Sequence, residues 1–135
     1  MERKRVYLVD DDMITLFGVK KLLGRIDYNF DILEFGNGKT ALAAVLSDID
    51  KKTLPDVIFL DINMPVMDGW QFLEAFLQLP IKQKILINIL TSSIDIADRN
   101  KWEHYQMKSH HKINFKNKPI YHLDVEDITL VNMAS

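Results

Sequence analysis

The chain has 135 residues, 47% apolar and 27% charged, enough to bury a real core and a better fit to one domain than to two. Lys plus Arg number 17 against 19 Asp plus Glu, a net charge of −2, and this near balance argues against a dedicated nucleic-acid binder. The absence of cysteine excludes disulfides, thiolate metal sites and cysteine nucleophiles.

In chain order, Val6–Val9 is an apolar run ended by Asp10, Asp11 and Asp12. It is too short and too acidic in its continuation to be a signal peptide, and no stretch reaches the roughly 18 uninterrupted apolar residues of a membrane helix. The expectation is a single cytoplasmic domain over 1–135. A helix over 13–26 follows, with Leu16, Val19 and Leu23 on one face and Ile14, Phe17 and Lys21 beside it. Phe30–Phe35 is a less apolar strand, expected nearer an edge. After the Gly36-Asn37-Gly38 turn, Leu42, Val45, Leu46 and Ile49 mark a second helix.

Val57–Leu60 is a third strand, ending in Asp61; Trp70, Leu73, Phe76 and Leu77 mark a third helix, closed by Pro80. Ile85–Leu90 is a fourth strand before Thr91, Ser92 and Ser93. A weakly apolar helix over 94–105 carries Ala97, Trp102 and Tyr105, and Ile113-Asn114-Phe115 is a short fifth strand before Lys118-Pro119. Val125, Ile128 and Val131 mark a last helix. Five strand–helix repeats with continuously apolar strands predict a mainly parallel α/β sheet covered by helices on both faces.

In such sheets reactive groups gather beyond the carboxyl ends of the strands. Those ends carry Asp10 and Asp11, Asp61, Thr91 and Lys118. Carboxylates crowded in one pocket raise each other's pKa unless a cation joins them, and Mg²⁺ suits one or two carboxylates together with phosphate oxygens. Lys118 adds a point charge and the Thr91 hydroxyl can donate to a phosphoryl oxygen. The chemistry this supports is phosphoryl transfer onto a carboxylate, with Asp61 as acceptor and Asp10 and Asp11 as the metal-holding pair. The competing account of each acid is a helix cap.

Val6–Asp12, Leu60-Asp61-Ile62-Asn63-Met64-Pro65, Asp68-Gly69, Thr91-Ser92 and Phe115–Pro119 together resemble the receiver domain of two-component response regulators, over essentially the whole chain. The resemblance implies a flavodoxin-like (βα)5 fold with strand order 2-1-3-4-5. It implies Asp61 as phosphoacceptor, charged by a sensor histidine kinase or a phosphotransfer protein. Mg²⁺, for which Mn²⁺ could substitute, would be held by Asp11, Asp61 and the Asn63 backbone carbonyl, with Asp10 acting mostly through water. Thr91 and Phe115 would be the switch residues, Lys118 would pair with the phosphoryl group, and Lys118-Pro119 would be cis. Asn63 and Ser93 fall at the two positions that modulate phosphoryl lifetime. With no output or DNA-binding domain following, the chain resembles a stand-alone chemotaxis-regulator type. It would be a monomer or weak dimer, signalling to an unknown protein target through its fourth helix, fifth strand and fifth helix.

Some features depart from that pattern. Gln106–Lys112 is longer and more polar than the small pair usual before the fifth strand, and Lys116 stands where an apolar residue is usual. The active site reads as intact and the output surface as unusual. His104, His110, His111 and His122 lack metal-ligand spacing and are expected at the surface or in partner contacts. Gly38-Lys39-Thr40 lacks the Walker spacing and is a turn leading into a helix. Trp70 is expected under the third helix, and Trp102 as the better candidate for partner contact. A phosphatase using an aspartyl-phosphate intermediate would need a cap and a nearby general acid, yet Asn63 sits two residues after Asp61. A degenerate scaffold would lack an acid, and none is missing.

Overall fold

The computed structural model describes residues 3–26, 28–92 and 95–130. Five strands alternate with five helices: β1 (Lys4–Val9), α1 (Met13–Gly24), β2 (Phe30–Phe35), α2 (Gly38–Lys51), β3 (Val57–Asp61), α3 (Gly69–Phe76), β4 (Leu86–Thr91), α4 (Ile96–Lys108), β5 (Lys112–Asn117) and α5 (Val125–Ile128). All the pairings are parallel, in the order β2-β1-β3-β4-β5, as the sequence implied. β3, flanked on both sides, is buried at every position, whereas β2 lies at an edge and is buried at none.

Side-chain alternation along the strands sorts the core into two layers. Tyr7, Val9, Ile58, Leu60, Ile87 and Ile89 face α2, α3 and α4, and meet Ala41, Val45, Phe72, Leu73 and Phe76. Val6, Leu8, Val57, Phe59, Leu86 and Leu90 face α1 and α5, and meet Val19, Leu23 and Ile128. The helices start where short polar side chains accept their free N–H groups: Asp12 for α1, Asn37 for α2, Asp68 in a capping box with Gln71 for α3, and Asp95 for α4. The caps of α1, α2 and α4 follow closely on the ends of β1, β2 and β4, whereas a longer loop separates Asp68 from the end of β3.

Several predicted faces turn outward. Leu46 of α2 is exposed while Ala41 takes its place inside, and Ala97 of α4 is exposed. α4 buries no residue at all. α5 is a single turn in which Val125 faces solvent and Ile128 is buried; Val131 lies outside the described residues. The underside of α5 is polar instead. Asn88, fully buried in β4, donates to the Asp127 carbonyl at 2.7 Å and accepts from Asn114 at 3.0 Å. The Lys116 ammonium reaches the buried Asp127 carboxylate at 2.6 Å. That ion pair accounts for the unusual lysine.

Candidate functional site

Asp10 follows β1, and Asp61 and Thr91 end β3 and β4. Parallel register brings these ends together: Asp61 lies beside Leu90, the Ile62 N–H donates to the Leu90 carbonyl, and the Lys118 N–H donates to the Thr91 carbonyl at 2.7 Å. Asp10 and Asp61 are buried and Asp11 is exposed at their rim, and carboxylate oxygens of all three lie within 4.8 Å of one another. Lys118 reaches across, with its Nζ 2.8 Å from Asp10 Oδ2 and 3.3 Å from Asp61 Oδ1. Its peptide bond to Pro119 is cis, as expected.

The electrostatics follow from the crowding. Burial, and then the neighbouring Asp10 charge, push the Asp61 carboxyl up to about 6 against the opposing pull of Lys118 and of the Asn63 backbone N–H. Burial works against the Lys118 ammonium, but Asp10 and then Asp61 outweigh it and hold its pKa above the usual value. Asp10 Oδ2 is buried without a hydrogen-bond partner, and the Lys118 ammonium lies 2.8 Å from it. One lysine against three acids leaves the pocket short of positive charge. A hard divalent cation on the free carboxylate oxygens fits that deficit.

Asp12, the third acid of the run, does not join the cluster. It caps α1, and the Ile14 N–H and then the Thr15 hydroxyl hold its carboxyl below the usual range. Asn63 is exposed beside Asp61; Thr91 is buried; Ser93 lies outside the described residues. Phe115 is half-buried, its ring stacked on Trp102 at 5.8 Å and 6.5 Å from Trp70. Trp102 is half-buried. Its indole N–H donates to the Ile113 carbonyl at 2.7 Å and its ring lies against Phe115. Trp70 packs under α3 as expected, and its N–H reaches Asp98 on α4 at 3.1 Å.

His111 also departs from expectation. It is buried, its Nδ1 accepting the Ile85 N–H at 2.9 Å, and its ring centre lies 3.9 Å from that of His110, the two planes tilted by 39°. Nothing in the local pattern signals Ile85 as a partner, since it lies 26 residues away. Gly69 carries a further constraint. A Cβ there would meet the Asp61 carbonyl oxygen at 2.3 Å, so glycine alone lets α3 start this close to the end of β3.

A parallel 2-1-3-4-5 sheet with an acid cluster and a lysine at its carboxyl edge defines a phosphoacceptor-type α/β domain. The family model of the response regulator receiver domain matches residues 6–113. The chain belongs to that family, whose function is to take a phosphoryl group within a phosphorelay. The protein-glutamate methylesterase/protein-glutamine glutaminase of Agrobacterium fabrum is 35% identical over 85 residues, covering 62% of this chain and 23% of that protein. The chain spans about a fifth to a quarter of the length of the methylesterases it matches first. A two-component response regulator from Cytophaga hutchinsonii superposes with a TM-score of 0.75 at 26% identity, covering 90% of each chain. The Mn²⁺-bound form of response regulator Rcp1 gives 0.71 at 23% identity, covering 93% of this chain and 86% of that one. The family is regulatory and binds divalent metal. No helix among the described residues is long and apolar enough to cross a membrane.

Proposed function

We propose that the chain is a phosphorylatable switch whose acceptor is Asp61. A carboxylate oxygen of Asp61 attacks the phosphorus of a phosphohistidine on a sensor kinase or phosphotransfer protein. The O–P bond forms as the P–N bond breaks, and the leaving imidazole takes up a proton. Mg²⁺ would sit on Asp11, Asp61 and the Asn63 backbone carbonyl, with Asp10 acting through water; when bound, it spreads the negative charge of the phosphoryl oxygens. Mn²⁺ has the same oxygen preference. Lys118 exchanges its contact with Asp61 for one with the phosphoryl group. The Thr91 hydroxyl donates to a phosphoryl oxygen, and Phe115 follows it. Asn63 and Ser93 flank the acceptor and set how readily water reaches it.

The observation that carries this reading is the Lys118 ammonium poised between two buried acids, one of them Asp61 with its raised pKa. A regulated acceptor needs only positioning and charge, which makes this chain a regulatory partner more than an enzyme acting on metabolites. Met13, Ile14 and Phe17, all largely exposed on the first turns of α1 just after the acid run, offer an apolar docking surface for the phosphodonor protein. A cytoplasmic location follows from the kinase chemistry. The downstream partner binds the α4–β5–α5 side, on which Phe115 and Trp102 sit.

The test is intact-protein mass after incubation with acetyl phosphate, with Mg²⁺ or with chelator, on wild type and Asp61→Asn. One added phosphoryl group is expected, requiring Mg²⁺ and absent from the variant. A gain that persists in Asp61→Asn, or no gain in wild type with Mg²⁺ binding verified separately, refutes the assignment.

A further inference from the structure

Trp70 follows directly on the loop that carries the acceptor. The Gly69 N–H donates to the Ile62 carbonyl at 2.8 Å, and a Cβ on Gly69 would collide with the Asp61 carbonyl oxygen. The capping box of Asp68 and Gln71 brackets Trp70, and Phe72, Leu73 and Phe76 seat α3 in the core. The base of the Trp70 side chain is thereby fixed relative to Asp61.

Its ring reaches α4. The indole N–H donates to Asp98 Oδ1 at 3.1 Å, the ring stacks on Tyr105 with centroids 6.0 Å apart, and Lys101 Nζ lies 5.7 Å from its centre. Asp98, Lys101, Trp102 and Tyr105 stand at helical spacing on one face of α4. Asp98 and Lys101 are charged where a core-facing stripe would be apolar. That composition suits an indole donor and an aromatic face better than apolar packing. It gives a helix that buries no residue a defined seat on Trp70.

We infer that Trp70 is a positioning residue of the switch, a latch that ties the first turn of α4 to the acceptor loop and so opposes phosphoryl capture. This role presupposes the phosphoacceptor at Asp61 and concerns what regulates it. Residues 92–95 join Thr91 to α4, so a phosphoryl group that draws the Thr91 hydroxyl pulls on the N-terminal end of that helix. Asp98 lies in the first turn, at the end that is pulled, and Trp70 holds it from the α3 side. The contact is made in the arrangement where Lys118 rests on Asp61. A contact made in one state and lost in the other biases the equilibrium by its own worth. The latch acts through α3, whereas Phe115 acts from β5.

The test uses the full chain with Mg²⁺ and beryllofluoride, an analogue of a phosphoryl group on a carboxylate, with binding midpoints read by ¹⁹F NMR. Breaking the latch is expected to tighten beryllofluoride about fivefold in Asp98→Ala and in Trp70→Phe, since each removes the hydrogen bond to a half-buried carboxylate. Asp98→Asn, which keeps an oxygen for the indole N–H, is expected to stay within about twofold of wild type. The double variant Trp70→Phe/Asp98→Ala is expected to gain no more than either single one, because both remove the same contact. A merely structural loss would weaken binding or leave it unchanged. Hydrogen exchange without beryllofluoride reads the latch apart from the phosphoryl chemistry. The amides of residues 99–105 in α4 are expected to exchange about fivefold faster in Asp98→Ala, with those of α3 unchanged. Unchanged or weaker beryllofluoride binding in both single variants, or unchanged α4 exchange, overturns the latch while leaving the acceptor in place. A wild type that binds no beryllofluoride with Mg²⁺ overturns the phosphoacceptor reading, and the latch's role in it, whatever the α4 exchange.

Discussion

Asparagine at position 61 is expected to make the metal-free protein more stable while removing its phosphoacceptor. An ordinary aspartate titrates near 3.8, and Asp61 is pushed up to about 6 by burial and by Asp10. The folded state therefore holds this proton more tightly than the unfolded state. Ionising Asp61 costs the fold nothing below about pH 3.8, a rising amount between 3.8 and 6, and a constant amount above. The full difference corresponds to about 3 kcal/mol, which water and salt at the open mouth screen to about 1–2 kcal/mol. Asp61→Asn escapes that cost. In chelator at pH 7.5 it is expected to gain about 1–2 kcal/mol by urea titration and to melt about 3–8 °C higher. The advantage should fall to about a third by pH 4.5, where the folded wild type is largely protonated at this site. Mg²⁺ should stabilise wild type in the same direction and the variant much less. An Asp61→Asn protein less stable than wild type at pH 7.5, or an advantage that stays constant down to pH 4.5, refutes the electrostatic account of the pocket.

Three further substitutions test the frame around the site. Gly69→Ala puts a Cβ against the Asp61 carbonyl oxygen at 2.3 Å and the Ile62 Cα at 2.8 Å. It should lose about 2–3 kcal/mol in urea titration and weaken Mg²⁺ binding measured by calorimetry. Val66, in the loop between β3 and α3, holds φ at 70°, a left-handed conformation that a β-branched residue adopts at a cost. Val66→Asn should gain about 0.5–1 kcal/mol, read as a higher melting temperature. Lys116→Met strands the Asp127 carboxylate beneath α5, and a loss of about 2–3 kcal/mol in urea titration is expected, largely recovered in Lys116→Met/Asp127→Leu.

The strands were legible because three of them, β1, β3 and β4, carry short apolar runs with polar stops, and β2 betrayed its edge position by its lower apolar content. The acid pocket was legible because its members sit immediately after strands, where parallel topology must bring them together. Periodicity did not reveal which side of a helical stripe is covered. Leu46 and Val125 carry the spacing of core residues and face solvent. Lys116 and His111 were read as surface residues for a different reason. Their partners, Asp127 and the Ile85 N–H, are supplied by other elements, and a polar residue reads as exposed until its partner is known.

The same distinction separates α3 from α4. α3 buries Trp70, Phe72, Leu73 and Phe76, and lifting it away would expose all that apolar surface, at about 1.5–3 kcal/mol for each large side chain. α4 buries none. It is held by the Trp102 indole on the Ile113 carbonyl, the Trp70 indole on Asp98, and the stacking of Trp102 on Phe115 and of Tyr105 on Trp70. Each such contact is worth about 0.5–1.5 kcal/mol. A helix tied down by a few contacts moves at far less cost than one seated on the core. Two of those contacts end on Phe115 or on β5, the strand that carries it. A change at the acid pocket that shifts Phe115 therefore acts first on α4, the element with least to lose by moving.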